Sequence, residues 1–339
     1  MEDIMQKTRI ISLHILVVCI VLFMPFASFT QADPGGVAER RAQLAEAIDG
    51  FPENAQELLR TVVLRDDFVG VFSAEQAHEL SALMGLSANE TALALISLAR
   101  VYAVPPISNF HVGAVAVGLS GAMYFGSNME FPGQALSFSV HAEQAATMNA
   151  WMHGETGLRA IAITAPPCGY CRQFLNELST SEDLEILLRN TPTMPLHALL
   201  PEAFGPTDLG MELRLMDESV QPMQLAIATD DKVVLAALAA ASASYAPYSG
   251  NHAGVAIESV TGVIASGRYA ENAAYNPSMS PLAAALVNYN FANQDLSRII
   301  RAVLVQTNPD TASQKDAAKA VLSVLAGSPE LEVYSAEYP

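Results

Sequence analysis

Positive charge is what this sequence most lacks. Its 17 Lys and Arg residues stand against 35 Asp and Glu, a formal net charge of -18, and charged side chains reach only 15 per cent of the chain. A field of that sign, felt over roughly 10 Å at moderate salt, repels polyanions, which argues against a nucleic acid polymer as substrate or partner. Cysteine is also scarce, with Cys19, Cys168 and Cys171 the full set. Cys19 falls in an N-terminal apolar run, and a bridge between Cys168 and Cys171 would close a very short ring. No disulfide framework can therefore be read, and the pair is left for metal or redox chemistry. Low charge also excludes a disordered tail: hydrophobic residues make up 51 per cent of 339, enough for substantial cores and for two domains of about 150 residues.

Long hydrophobic runs are limited to one. Lys7 and Arg9 precede Ile10 to Phe29, a mostly apolar stretch broken by His14 and Pro25 and followed by small residues near Ala27 and Ala32. It reads as a secretory signal with a cleavage pattern such as Thr30-Gln31-Ala32, as a single membrane anchor, or as the product of a misplaced start codon. Residues 1–33 are accordingly set apart from the fold. In an exported chain Asn89-Glu90-Thr91 would form a glycosylation sequon.

Residues 34–86 read as a small helical region. Ser73-Ala74-Glu75-Gln76 has the spacing of a capping box, Gly85 can close the helix it opens, and Ser87-Ala88-Asn89-Glu90 opens the next. From Phe110 the period shortens. Val112 to Leu119 and Ala122 to Gly126 are strand-like runs around Ser120-Gly121, a hairpin. A helix at Ala142 to Met152, a strand at Ala160 to Thr164 and a helix at Arg172 to Leu178 follow, which indicates α/β layering. The chain then repeats itself. Tyr102-Ala103, Gly113 to Ala116 and Asn128-Met129-Glu130 align with Tyr245-Ala246, Gly254 to Ala256 and Ala270 to Asn272 at a separation of about 141, and Arg159-Ala160-Ile161 aligns with Arg301-Ala302-Val303. A period this long means duplicated domains rather than a solenoid. The expected layout is a catalytic domain at 87–190, a connector at 191–228 and a second copy at 229–339.

The chemistry concentrates in His141-Ala142-Glu143 and Pro167-Cys168-Gly169-Tyr170-Cys171. One imidazole and two thiolates are three zinc ligands, one short of a closed structural site, which leaves a fourth position for water. The spacing matches the H-x-E and P-C-x-x-C pattern of zinc deaminases, in which the glutamate moves protons and binds no metal. Zinc lowers the pKa of water from about 16 towards 7, and Glu143 is placed to take the proton released. Cys168 and Cys171 lie at a strand-to-helix junction whose positive end favours thiolates, and Arg172 is expected to add charge beside one of them. The Cys-x-x-Cys alone also fits a thioredoxin-type dithiol, and a structural zinc site would fit given a fourth ligand. His153 reads as surface at the far end of its helix, and His111, His197 and His252 have no partner pattern. The second copy has lost the ligands: Ser280-Pro281-Leu282 stands for His141-Ala142-Glu143, and Asn308 to Ser313 for Pro166 to Cys171.

Together with Ser108-Asn109-Phe110, Asn128-Met129-Glu130-Phe131, His141 to Gln144, Pro167 to Phe174 and Leu200 to Pro206, these motifs resemble nucleoside cytidine deaminase of the long bacterial type, an active domain followed by a degenerate copy. The resemblance covers about residues 38–335. It implies a duplicated αβα sandwich around mixed five-stranded sheets, one Zn2+ per subunit, a homodimer, and a free pyrimidine nucleoside as substrate. It also implies pyrimidine salvage in the cytoplasm. Carried over by residue, it makes His141, Cys168 and Cys171 the zinc ligands and Glu143 the proton shuttle. Asn128 and Glu130 match a ribose-binding pair, Phe110 an aromatic packed on the pyrimidine, and Phe204 an aromatic that reaches a site across the dimer. Tyr269 to Asn276 keeps the sugar-side motif in the second copy and is expected to shape the partner's pocket.

Overall fold

Strand pairing sets the layout of the computed structural model, which describes residues 36–339. The apolar run at 10–29 and its three readings lie outside the described residues. Among the described residues no single helix is long and apolar enough to cross a membrane.

The helical region comprises α1 (Val37–Asp49), α2 (Glu53–Val63), the short strand β1 (Val71–Phe72) and α3 (Ala74–Met84), with α4 (Ala88–Ala99) leading into the first sheet. Both expected capping boxes form. The Ser73 hydroxyl accepts from the Gln76 amide and the Ser87 hydroxyl from the Glu90 amide, and Gly85 closes α3 at φ 66°, a left-handed conformation that glycine adopts without strain. The sequon asparagine is engaged, its Nδ2 donating to Glu185 and its Oδ1 accepting from Arg159.

The first copy continues through β2 (Gly113–Gly118), β3 (Met123–Ser127), α5 (Ala142–Met152), β4 (Leu158–Ile163), α6 (Gly169–Leu175), β5 (Glu185–Leu188), β6 (Met194–Pro195) and α7 (Leu196–Leu199). The second is built from β7 (Gln224–Leu225), α8 (Lys232–Ser242), β8 (Ala253–Ser259), β9 (Ile264–Arg268), α9 (Pro281–Phe291), β10 (Ile299–Gln306), α10 (Pro309–Ala312), α11 (Lys315–Leu322) and β11 (Leu331–Glu337). The sheets run β1-β3-β2-β4-β5-β6 and β7-β11-β10-β8-β9. Each is mixed, since β4 lies parallel to β5 and β10 to β11 while the other pairs are antiparallel. The second sheet has the five strands expected. The first has six, because β1 from the helical region pairs with β3.

Register corrects the alignment of the repeat. Gly113 pairs with Ser127 as Gly254 pairs with Arg268, a displacement of 141. The same displacement relates the bridge between Val104 and Met129 to that between Tyr245 and Ala270, so Asn128 to Glu130 correspond to Tyr269 to Glu271, one residue earlier than the sequence match places them. Likewise Tyr245 corresponds to Val104 rather than Tyr102, and Arg301 to Ala160 rather than Arg159. Hydrogen bonds fix pairing backbone by backbone, whereas identity matching drifts to whichever like residues lie nearby.

Helices α5 and α9 are the equivalent central helices, and they pack on each other as well as on their sheets. Covered on both sides, α5 is buried from Ala142 through Trp151, which explains an alanine-rich helix with no polar face. The approach to the sheet is close. A Cβ on Gly126 would lie 2.1 Å from the Ala142 carbonyl, and one on Gly267, the residue 141 later, 2.1 Å from the Ala285 amide. Glycine at both places lets the helix that begins beside the site lie on β3.

Candidate metal centre

The first turns of α5 and α6 bring the three expected ligands together. His141 is the N-cap of α5 and Cys168 the N-cap of α6, with Cys171 inside that helix. Helix α6 therefore starts at Gly169 rather than at Arg172 as the sequence suggests. The His141 Nδ1 atom lies 3.5 Å from Cys168 Sγ and 3.2 Å from Cys171 Sγ, and the sulfurs are 3.6 Å apart. A tetrahedral zinc with Zn–S of about 2.3 Å and Zn–N of about 2.0–2.1 Å needs roughly 3.8 Å between sulfurs and roughly 3.6 Å from sulfur to nitrogen. The donor set fits zinc, and the sulfurs are too far apart for a disulfide, which needs about 2.05 Å. Among the described residues this is the one cluster of His, Cys, Asp or Glu that offers a metal three close donor atoms.

The two thiols differ. Cys168 is exposed and Cys171 is fully buried. Hydrogen bonding from Cys171 and then from His141 lowers Cys168 to about 3, while the hydrogen bond to Cys168 and then burial push Cys171 far above an ordinary thiol. In zinc-stripped protein, iodoacetamide is thus expected to label Cys168 and spare Cys171. The Cys168 thiolate forms as pH rises through about 3, so its rate should be flat around neutrality and fall only in strong acid. An ordinary thiol, of pKa about 8.5, would instead react about tenfold faster per pH unit there. Peptide mass spectrometry over a pH series reads the difference, and bound zinc should protect both sulfurs.

Glu143 sits one residue into α5 and is 5% exposed. Burial raises its carboxyl above the usual carboxylate range, with the His141 imidazole pulling the other way. A carboxyl held above its usual range is suited both to take and to return a proton.

A cavity of about 270 Å³ opens onto the ligands, lined by Phe110, Asn128, Glu130, His141, Glu143 and Cys168 among others. Asn128 follows β3, and its Oδ1 accepts from the Val112 amide at 2.9 Å while its Nδ2 donates to the Phe110 carbonyl at 2.9 Å. One N–H and one acceptor position of the amide are left over. Glu130 accepts from the Ile107 amide at 2.8 Å, the Ser108 amide at 2.9 Å and the Ser108 hydroxyl at 2.6 Å. In the second copy Glu271 holds the Tyr248 and Ser249 amides and the Ser249 hydroxyl in the same way. The acid thus shapes its loop in both copies, and in the first it keeps one free acceptor position as well. Phe110 is 57% exposed at the pocket.

One expectation changes. Arg172 does not contact a thiolate: its Nε donates to the Pro167 carbonyl and its NH1 to the Leu199 carbonyl, each at 2.8 Å, because the guanidinium points along the cysteine loop towards α7. Phe204 lies outside the pocket of its own chain, 46% exposed, while its carbonyl accepts from Gln173 and Asn176. His111, His153 and His197 are exposed, and the Nδ1 of His252 lies 3.0 Å from the Ser244 hydroxyl, so none joins the cluster.

Sequence reading placed Ser108 and Gln144 in motifs but gave neither a role. The Gln144 side chain accepts from the His141 amide at 3.3 Å, a link that the i, i+3 spacing could have flagged. Ser108 and Glu130 recur as Ser249 and Glu271 at equal separation, so comparing the chain with itself could have found them. In the second copy Ser280 caps α9 where His141 caps α5, Leu282 is buried where Glu143 stands, and α10 is tied down by Asn251 and Ser249.

Residues 86–183, and separately residues 196–319, fit the family described as the cytidine and deoxycytidylate deaminase zinc-binding region. The cytidine deaminase of Aeromonas hydrophila is 48% identical over 270 residues, which cover 80% of this chain and 91% of that protein. That of Photorhabdus laumondii is 44% identical over 285 residues, covering 84% and 96%. The solved cytidine deaminase of Mycobacterium tuberculosis is 30% identical and covers 34% of this chain and 96% of its own, with a TM-score of 0.32.

Proposed function

Because the chain belongs to the zinc-dependent cytidine deaminase family, we propose that its first copy hydrolyses cytidine to uridine and ammonia, with His141, Cys168 and Cys171 as the zinc ligands and Glu143 as the proton shuttle. The observation that carries this reading is the convergence of Nδ1 and two sulfurs at zinc spacing beside a buried carboxyl. When bound, zinc supplies the Lewis acidity that makes water a nucleophile near neutral pH. Glu143 carries one proton of the attacking water to the ring nitrogen, where it stays, and then the second, from the hydroxyl left on the ring carbon, to the amine, so that the carbon–nitrogen bond breaks to give the carbonyl of uridine and ammonia. The cavity wall formed by Phe110 packs on the pyrimidine. The spare groups of Asn128 and Glu130 meet the ribose 3'-hydroxyl, a pairing that leaves the 2' position unread and extends the substrates to 2'-deoxycytidine.

The working unit in this reading is a homodimer. The exposure of Phe204 outside its own pocket suits an aromatic that completes the partner's site. Residues 87–190 act as the catalytic domain, 191–228 as connector and 229–339 as the degenerate copy, after the helical region at 34–86. Thiolate ligands suit a reducing compartment, so the chain works in cytoplasmic pyrimidine salvage. The test is the ultraviolet change of cytidine with purified protein: loss of the cytidine band, abolished by a chelator and restored by zinc, is expected. Failure to consume cytidine with one zinc bound per chain would overturn the assignment.

A further inference from the structure

Glu177 is fully buried, lies outside the pocket and has no part in the chemistry above. It follows α6, and its carboxylate accepts from three groups of the second copy: the Ala273 amide at 2.9 Å, the Tyr245 hydroxyl at 2.8 Å and the Tyr248 hydroxyl. Its carbonyl accepts from the Leu215 amide of the connector at 3.0 Å. Beside it Asn272, also fully buried, donates its Nδ2 to the Gln173 carbonyl at 2.9 Å and accepts from Gln173 Nε2 at 3.3 Å. That carbonyl belongs to the last turn of α6. The Asn176 amide bonds to Arg172 and the Glu177 amide to Phe174, so Asn272 caps an acceptor that the helix leaves open.

The contacts continue towards the ligands. The Tyr170 hydroxyl, on the residue before Cys171, donates to the Asn276 carbonyl at 2.8 Å, and its ring lies 5.5 Å from that of His141. Gln144, which holds the His141 amide, donates to the Pro277 carbonyl at 3.2 Å. One strap of the second copy, residues 272–277, thereby touches the helices that carry all three metal donors. A helix of 7 residues such as α6 does not sustain itself, so its position is set by what grips it.

We propose that the ligand-free second copy is a clamp in its own chain, with Asn272 and Glu177 as positioning residues that hold α6 against the start of α5 at the spacing zinc requires. This rests on the zinc reading of the first copy. The resemblance assigns the strap to a partner's pocket; the clamp is a separate task performed within one chain.

The test uses full-length protein loaded with one zinc per chain and mixed with a chromogenic chelator, release being followed by absorbance. Asn272→Asp keeps size but replaces the donor to the Gln173 carbonyl with an acceptor. It should release zinc about 10- to 100-fold faster, the range for partners that orient metal ligands, and lower kcat with little change in KM for cytidine. Tyr248→Phe removes one hydroxyl from Glu177, should shift release the same way, and gives the reading if Asn272→Asp does not fold. Arg301→Ala is the control, since its ion pairs with Asp231 at 2.8 Å and Glu332 at 2.6 Å lie on the second copy's own elements. It should lower the melting temperature while leaving zinc release unchanged. Wild-type release rates in both Asn272→Asp and Tyr248→Phe, or equal acceleration in Arg301→Ala, would overturn the clamp. Failure of the wild type to take up zinc would instead overturn the metal centre.

Discussion

Glu143→Ala is expected to purify with a full complement of zinc and to deaminate cytidine about 10³- to 10⁴-fold more slowly than the wild type, or worse. The metal survives because the carboxyl is not among the three clustered donors, which come from His141, Cys168 and Cys171. The rate falls because a positioned acid–base group contributes about 10²- to 10⁴-fold, and in the proposed reaction one group serves both the attack and the departure of the amine. Buried at 5% exposure, the lost carboxyl is not readily replaced by bulk water. Elemental analysis together with the ultraviolet assay separates the two effects. Normal turnover would remove Glu143 from the chemistry, and loss of zinc with activity would make it part of the metal site.

Cys171→Ala should have the larger effect, because it removes the metal itself. The sulfur is fully buried and 3.2 Å from the imidazole, so of the three donors clustered among the described residues only two remain. Zinc content should fall close to zero. Activity should fall by more than about 10⁵-fold, since water reverts from a pKa of about 7 towards about 16. Stability should fall too, because a ligand that binds only the folded state adds RT ln(1 + [L]/Kd) to it. A melting temperature that rises with added zinc in the wild type but not in the variant is the measurement. A variant that still bound one zinc per chain with normal activity would show that Cys171 is not a ligand.

Much of the site was legible before any coordinates. His141, Glu143, Cys168 and Cys171 are given by residue type and short spacing, and short spacings survive into structure because one helical turn carries them. The hairpin at Ser120-Gly121 and both capping boxes were legible for the same reason, each being closed by neighbours a few residues apart. Arg172 was misread because sequence gives the distance along the chain to a thiolate but not the direction of a long side chain. The repeat was detected, with Gly113 and Gly254 matched in register but the segments around Tyr102, Asn128 and Arg159 set one or two residues out, since pairing is decided by backbone hydrogen bonds across the sheet. Glu177 had no signal, and Asn272 only a place in the Tyr269 to Asn276 motif, with nothing to direct it at α6. Each looks like an ordinary polar residue until the partners 96 and 99 positions away are known.

The sequence by itself therefore marked the candidate donor set and the proposed acid–base residue, and determined the duplication and the loss of that motif from one copy, because these are local facts of composition and spacing. Only the tertiary structure decided that the two ligand helices meet at zinc distance, that β1 extends the first sheet, and that the degenerate copy grips the helix of its active neighbour. Those outcomes depend on groups far apart in the chain being driven together by burial and then fixed by hydrogen bonds that buried polar atoms must make.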